Sequence, residues 1–150
     1  ARDKEICERL RTIIKTTGAC LSPFDSFLIN RGIKTLSVRM DRQQKTAMDI
    51  AGWLEGQEAV ERVFYPGLKT HPGHEELKKQ ASGFGAMISF SVKNGEIARQ
   101  VLEKVRIIQY AESLGGVESL ITYPMLQTHA DIPESKRLSK GIDKKLLRIR

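Results

Sequence analysis

Cysteine is scarce. Cys7 and Cys20 are the only two in 150 residues, too few for a disulfide framework, and no Cys-x-x-Cys pair offers metal-ligand spacing. That usage points to a reducing, cytoplasmic compartment. No apolar run approaches the roughly 18 residues of a membrane span, so no membrane partner is expected. The opening "ARDKEICERLRTIIK" is charged and periodic, which excludes a signal peptide. Initiator Met is lacking too, suggesting a processed, tagged or cut chain. Gly-x-Ser-x-Gly, His-Glu-x-x-His and P-loop motifs are all missing. "GFGAM" at 83–87 leads into a strand rather than a helix, so it is no dinucleotide fingerprint. Aromatics make up only 6% of the chain, with no interleaving of basic and aromatic residues of the kind that binds single strands or RNA.

What is present is ordinary globular composition, 40% hydrophobic and 29% charged, in a length that suits one domain or a domain plus an arm. The net charge of +7 raises nucleic acid as a partner, but its distribution argues against one. Residues 134–150 hold seven Lys/Arg against two acids, and the rest of the chain is nearly balanced. A solvated basic end accounts for that pattern, and no nucleic acid is expected.

Along the chain, Ile6, Leu10, Ile13 and Ile14 share one helical face. Ser22-Pro23 reads as an N-cap and first-turn proline launching a short helix that Gly32 ends. A long helix follows from about Thr35 to Glu55, with Ala47, Ile50, Ala51 and Leu54 as its apolar stripe. After Gly56 the pattern becomes strand "AVERVF", helix "HPGHEELKKQA", strand "MISFSV" and helix "EIARQVLEKVR". Strands "IIQYA" and "LITYP", helix "PESKRLSKG" and strand "KLLRIR" complete it. Residues 57–150 thus spell β-α-β-α-β-β-α-β, an α/β fold of the small α+β kind, with helices against a mostly antiparallel sheet. No repeat or low-complexity segment interrupts it.

Candidate chemistry is sparse. His71 and His74 are separated by Pro72 and Gly73, with no Cys or Asp nearby to complete a metal set, and read as part of a turn before a helix. Cys20 has no activating partner in sequence and reads as a buried structural thiol. His129 is either a supporting or a catalytic group. Two features remain. Ser113 precedes Leu114-Gly115-Gly116, where glycines allow backbone close to a ligand. Arg148 stands in the otherwise apolar strand "LLRI", and its planar fork suits a carboxylate. Together they could hold the carboxylate of an amino acid. The competing reading is a surface arginine on an edge strand beside a tight turn.

The ordered segments "GACLSPFDSFLINRGIKTLSVRM", "VFYPGLKTHPGHE", "GFGAMISF", "ESLGGVESLITYP", "QTHADIP" and "LLRIR" cover nearly the whole chain. With them the sequence resembles the Cys/Met-metabolism pyridoxal-phosphate enzymes, namely cystathionine γ-synthase, cystathionine β- and γ-lyases and methionine γ-lyase. The resemblance implies the C-terminal part of the aspartate-aminotransferase-like (fold-type I) architecture. Residues 1–35 would be the tail of the large cofactor domain, 36–56 a connecting helix, and 57–150 a small α+β domain incomplete at its C-terminus. It further implies that Ser113 and Arg148 bind the substrate α-carboxylate, that Glu112 steers reaction choice at the substrate's far end, and that Thr128 supports the turn.

The chain also departs from that family. The family's Schiff-base lysine lies in a Ser-x-Ser/Thr-Lys motif ahead of "GACLSPFD". Here Lys15 stands in "TIIKTT" and Lys69 in "PGLKTH", neither in that motif. The residues that hold the cofactor's phosphate and ring lie upstream in the family. Pyridoxal phosphate is therefore expected in the full-length enzyme, anchored by a lysine outside this chain, and the chain alone is expected to be inactive. The implied partners are a small amino-acid substrate, the remainder of the same polypeptide and, at full length, further copies in a homo-tetramer. The competing class is a non-catalytic module or pseudoenzyme that keeps the small-domain fold.

Overall fold

The computed structural model describes residues 2–113 and 115–150; Leu114 of the Ser-Leu-Gly motif lies outside the described residues. Two compact units are present, Ala1–Arg39 and Met40–Arg150.

The first unit holds helices α1 (Lys4–Thr17) and α2 (Pro23–Ile33). The Asp3 side chain caps α1 by accepting from the Ile6 N–H at 3.0 Å, and Ser22 caps α2 by accepting from the Asp25 N–H at 3.1 Å. Each cap satisfies one of the backbone donors that a helix start leaves unpaired. Gly32 does not stop α2. The helix continues through it to Ile33, and Lys34 is still right-handed, since a glycine inside a helix costs only about 1 kcal/mol relative to alanine. Neither helix buries a residue. The stripe of Ile6, Leu10, Ile13 and Ile14 forms as the periodicity predicts, but each of the four is exposed by 45–54%. Cys20 is exposed, not buried as expected; it lies in the link between two helices that themselves bury no residue.

Helix α3 (Leu36–Glu55) begins in the first unit and runs into the second. There follow β1 (Val60–Phe64), α4 (His74–Gln80), β2 (Ile88–Val92), α5 (Gly95–Lys104), β3 (Gln109–Tyr110), β4 (Leu120–Thr122), α6 (Glu134–Ser139) and β5 (Leu146–Ile149). They form one open five-stranded sheet in the order β1-β2-β5-β4-β3. The β1–β2, β2–β5 and β4–β5 pairs are antiparallel, and β3–β4 is parallel. The fold is α/β with helices packed on a mixed, mostly antiparallel sheet.

Strand alternation sorts the two faces. Ile88, Phe90, Val92, Ile121, Leu147 and Ile149 join Ala47, Ala51 and Leu54 of α3 and Ala98 of α5 in one buried core. Complete burial of a side chain such as Ile88 or Leu147 contributes about 1.5–3 kcal/mol. Ser89 and Ser91 fall between the core residues of β2, and Arg148 between those of β5, so these three turn to the opposite face. His74, the first residue of α4, is buried; its Nδ1 donates to the Pro66 carbonyl at 2.7 Å and its ring stacks on Phe84 at 4.9 Å. His71 accepts from the Gly73 N–H at 3.0 Å. Both histidines hold the turn before α4. Among the described residues no cluster of His, Cys, Asp and Glu is placed to bind a metal ion, and no helix is long and apolar enough to cross a membrane.

Candidate functional site

Arg148 lies on β5, in the middle of the sheet, with Ser89 of β2 opposite it on one side and Thr122 of β4 on the other. This position overturns the edge-strand alternative. An arginine here is held by two neighbouring strands, and it is half-buried. Thr122 is buried, and its hydroxyl reaches the Arg148 carbonyl at 3.5 Å. Among the described residues no carboxylate lies within ion-pair distance of the Arg148 guanidinium. A half-buried guanidinium without an internal counter-ion is suited to an incoming anion.

Glu112 and Ser113 reach the same place from β3. The Gln109 N–H donates to the Ser119 carbonyl at 3.1 Å and the Ala111 N–H to the Ile121 carbonyl at 3.2 Å, clamping β3 parallel to β4. The chain must therefore double back over 111–119 before entering β4. Parallel strands usually need a longer crossover, but strands of two and three residues leave little distance to retrace. Gly115 helps the reversal with φ 74°, a conformation that side chains disfavour. Gly116 serves a different purpose: a Cβ there would run into the Glu118 carboxylate and approach Arg150 Nη2 to 3.3 Å.

Thr128 comes from the turns after β4. The Gln127 side chain accepts from the Tyr123 N–H at 2.7 Å, and the His129 N–H donates to the Pro124 carbonyl at 3.0 Å. The Thr128 hydroxyl contacts His129 Nδ1 at 2.6 Å. His129 thus stands beside Thr128, while Thr128 itself faces the cavity.

All four residues singled out from the sequence, Glu112, Ser113, Thr128 and Arg148, line one cavity of about 590 Å³, together with Met87, Thr122 and Arg150. Sequence reading missed the last three. Arg150 was within its reach: two residues after Arg148 on a strand, it returns to the same face. The cavity offers two guanidinium groups, three hydroxyls and one carboxylate, a donor-rich set for a small anion that also carries an amine. None of its lining residues is a lysine. It therefore lacks the amine to which the aldehyde of pyridoxal phosphate would join, and its side chains do not by themselves make a site for that cofactor.

A family model described as Cys/Met metabolism PLP-dependent enzyme matches residues 1–150. The chain is 45% identical over 148 residues to cystathionine beta-lyase of Coxiella burnetii, covering 98% of this chain and 38% of that protein. It is 47% identical over 146 residues to cystathionine gamma-lyase of Bacillus subtilis, with 97% and 38% coverage. Beta- and gamma-lyases thus match at the same level, and this stretch is common to both. Among solved structures, cystathionine gamma synthase from Xanthomonas oryzae pv. oryzae in complex with aminoacrylate and cysteine superimposes with a TM-score of 0.90. The two chains are 44% identical, with 99% of this chain and 39% of that one covered. Cystathionine gamma-lyase from Lactobacillus plantarum complexed with L-serine gives 0.88 at 37% identity, again with 99% and 39% coverage. The chain spans about 38% of the length of the relatives it matches. Matched along its full length and sharing the fold of these enzymes, it belongs to the Cys/Met-metabolism PLP-dependent enzyme family.

Proposed function

We propose that this chain is the substrate-carboxylate-binding portion of a PLP-dependent transsulfuration enzyme acting on sulfur amino acids or O-acyl-homoserine. The observation that carries this reading is the meeting of Arg148, Ser113, Glu112 and Thr128 in one cavity. Arg148 offers a planar pair of N–H donors to the α-carboxylate. The Ser113 hydroxyl adds a further donor, Thr128 lines the wall beside it, and Glu112 faces the part of the substrate beyond the α-carbon. The ligands named for the solved relatives, cysteine and L-serine among them, are amino acids with the carboxylate that such a clamp needs.

In this family pyridoxal phosphate supplies an electron sink for chemistry at the α-carbon. Here that capacity is assigned to residues outside the cavity, with the anchoring lysine outside this chain. The chain alone is then inactive, and the bare apolar stripe of α1 is a surface for the remainder of a large domain. At full length the enzyme is a cytoplasmic homo-tetramer.

The test is Arg148→Ala in the intact protein. Removing one partner of a charge-assisted pair costs roughly 2–5 kcal/mol, so KM for the amino-acid substrate should rise strongly; an unchanged KM refutes the assignment. The 150-residue chain mixed with pyridoxal phosphate and cystathionine should show neither turnover nor a stoichiometric Schiff-base absorbance. A lysine-free cavity also suits a non-catalytic module that keeps the fold, and that alternative predicts no turnover from the intact protein either.

A further inference from the structure

Arg150 follows β5 and continues its ladder. Its N–H donates to the Leu120 carbonyl at 3.0 Å, and its own carbonyl accepts from the Leu120 N–H at 3.1 Å. Two residues beyond Arg148, its side chain lies on the same face, about 7 Å further along the strand. Both guanidinium groups line the one cavity. The two differ in their surroundings. Nε and Nη2 of Arg150 are shut off from solvent and have no hydrogen-bond partner among the described residues. Glu118, whose carboxylate lies near Gly116 on the same side, is not within ion-pair distance of it.

A guanidinium is always charged and carries five donors. Burying two of its nitrogens unpaired is expensive unless an anion arrives. We propose that Arg150 is a second anion-binding residue of this cavity, selecting ligands that carry a second carboxylate beyond the one Arg148 takes. The ligand class is an amino acid with an anionic group at the far end of its side chain. An extended six-carbon dicarboxylate approaches the spacing between the two arginines along the strand. The proposal rests on the carboxylate reading of Arg148.

L-2-aminoadipate and L-norleucine test it, because they differ only in a terminal carboxylate against a terminal methyl. Dissociation constants are measured by calorimetry on the intact protein and on its Arg150→Gln, Arg150→Lys and Arg148→Gln variants. Arg150→Gln should weaken 2-aminoadipate at least tenfold while leaving norleucine within twofold, and Arg150→Lys should recover part of the loss. The proposal is overturned if Arg150→Gln weakens both ligands equally or neither, or if the unsubstituted protein does not prefer 2-aminoadipate. Arg148→Gln should weaken both. If both ligands keep their affinity in that variant, the carboxylate reading of Arg148 fails, while the ratio between ligands still reports separately on Arg150.

Discussion

The Tyr123 hydroxyl donates to the Lys144 carbonyl at 2.8 Å, tying the end of β4 to the residues that lead into β5. Thr122 and Arg148 are neighbours across these same two strands, so the bond braces the wall of the cavity. Tyr65 makes a similar brace on the other side of the sheet, donating to the Gly85 carbonyl at 2.9 Å.

Both phenols should make stability pH-dependent in alkali. Burial, with Asp143 and Tyr110 adding to it, raises the pKa of Tyr123 above the ordinary 10.0, and burial alone raises Tyr65. The unfolded phenol loses its proton first, so above about pH 10 the folded state binds more protons and stability declines as pH rises. Lys145, raised mainly by its hydrogen bond to Glu61, acts in the same sense. Tyr65→Phe/Tyr123→Phe should lose about 0.5–1.5 kcal/mol per hydrogen bond near neutrality and show a shallower alkaline fall in Tm. An alkaline limb as steep as that of the parent would rule out the phenols as its source.

The two glycines of the cavity turn should respond differently to alanine. At Gly115 the φ of 74° makes the cost conformational, about 1–2 kcal/mol in thermal or urea unfolding. At Gly116 the obstacle is the end of the exposed Glu118 side chain, which can swing aside, and Arg150 Nη2, which must give way. Gly116→Ala should therefore stay within about 0.5 kcal/mol of the parent in stability yet reduce the preference for 2-aminoadipate over norleucine. Equal stability losses at the two positions would contradict this division.

Leu147, fully buried and adjacent to Arg148, links packing to the site. Leu147→Ala should cost about 2–5 kcal/mol and loosen ligand binding with it, because the opposite face of the same residue pair forms the cavity wall. Denaturant unfolding with a parallel binding titration checks both halves of this expectation.

Much of the site could be read from the chain because its residue types conflict with their surroundings. An arginine amid "LLRI" and a serine before two glycines both call for a polar partner. The strand phase of Ile88, Phe90 and Val92 was legible for the same reason, since period-two alternation survives wherever one face is buried. Strand order was not legible. Nothing local in "KLLRIR" distinguishes an edge strand from a central one; that depends on Ser89 and Thr122, distant in sequence. The parallel pairing of Gln109–Tyr110 with Leu120–Ile121 was equally hidden, because a short glycine-containing link is compatible with a hairpin. Cys20 was misplaced because burial was inferred from the lack of an activating partner in sequence, whereas the helices on either side of it bury no residue.

The position of β5 has one more consequence. In the sheet order β5 (Leu146–Ile149) stands between the pair β1–β2 and the pair β4–β3. β5 follows all four of the strands it joins in sequence, so they become one layer when it is laid between them. The strand that presents Arg148 is thus also the seam of the sheet. An anion gripped there would fasten the two halves together, coupling the occupied state of the cavity to the cohesion of the whole layer.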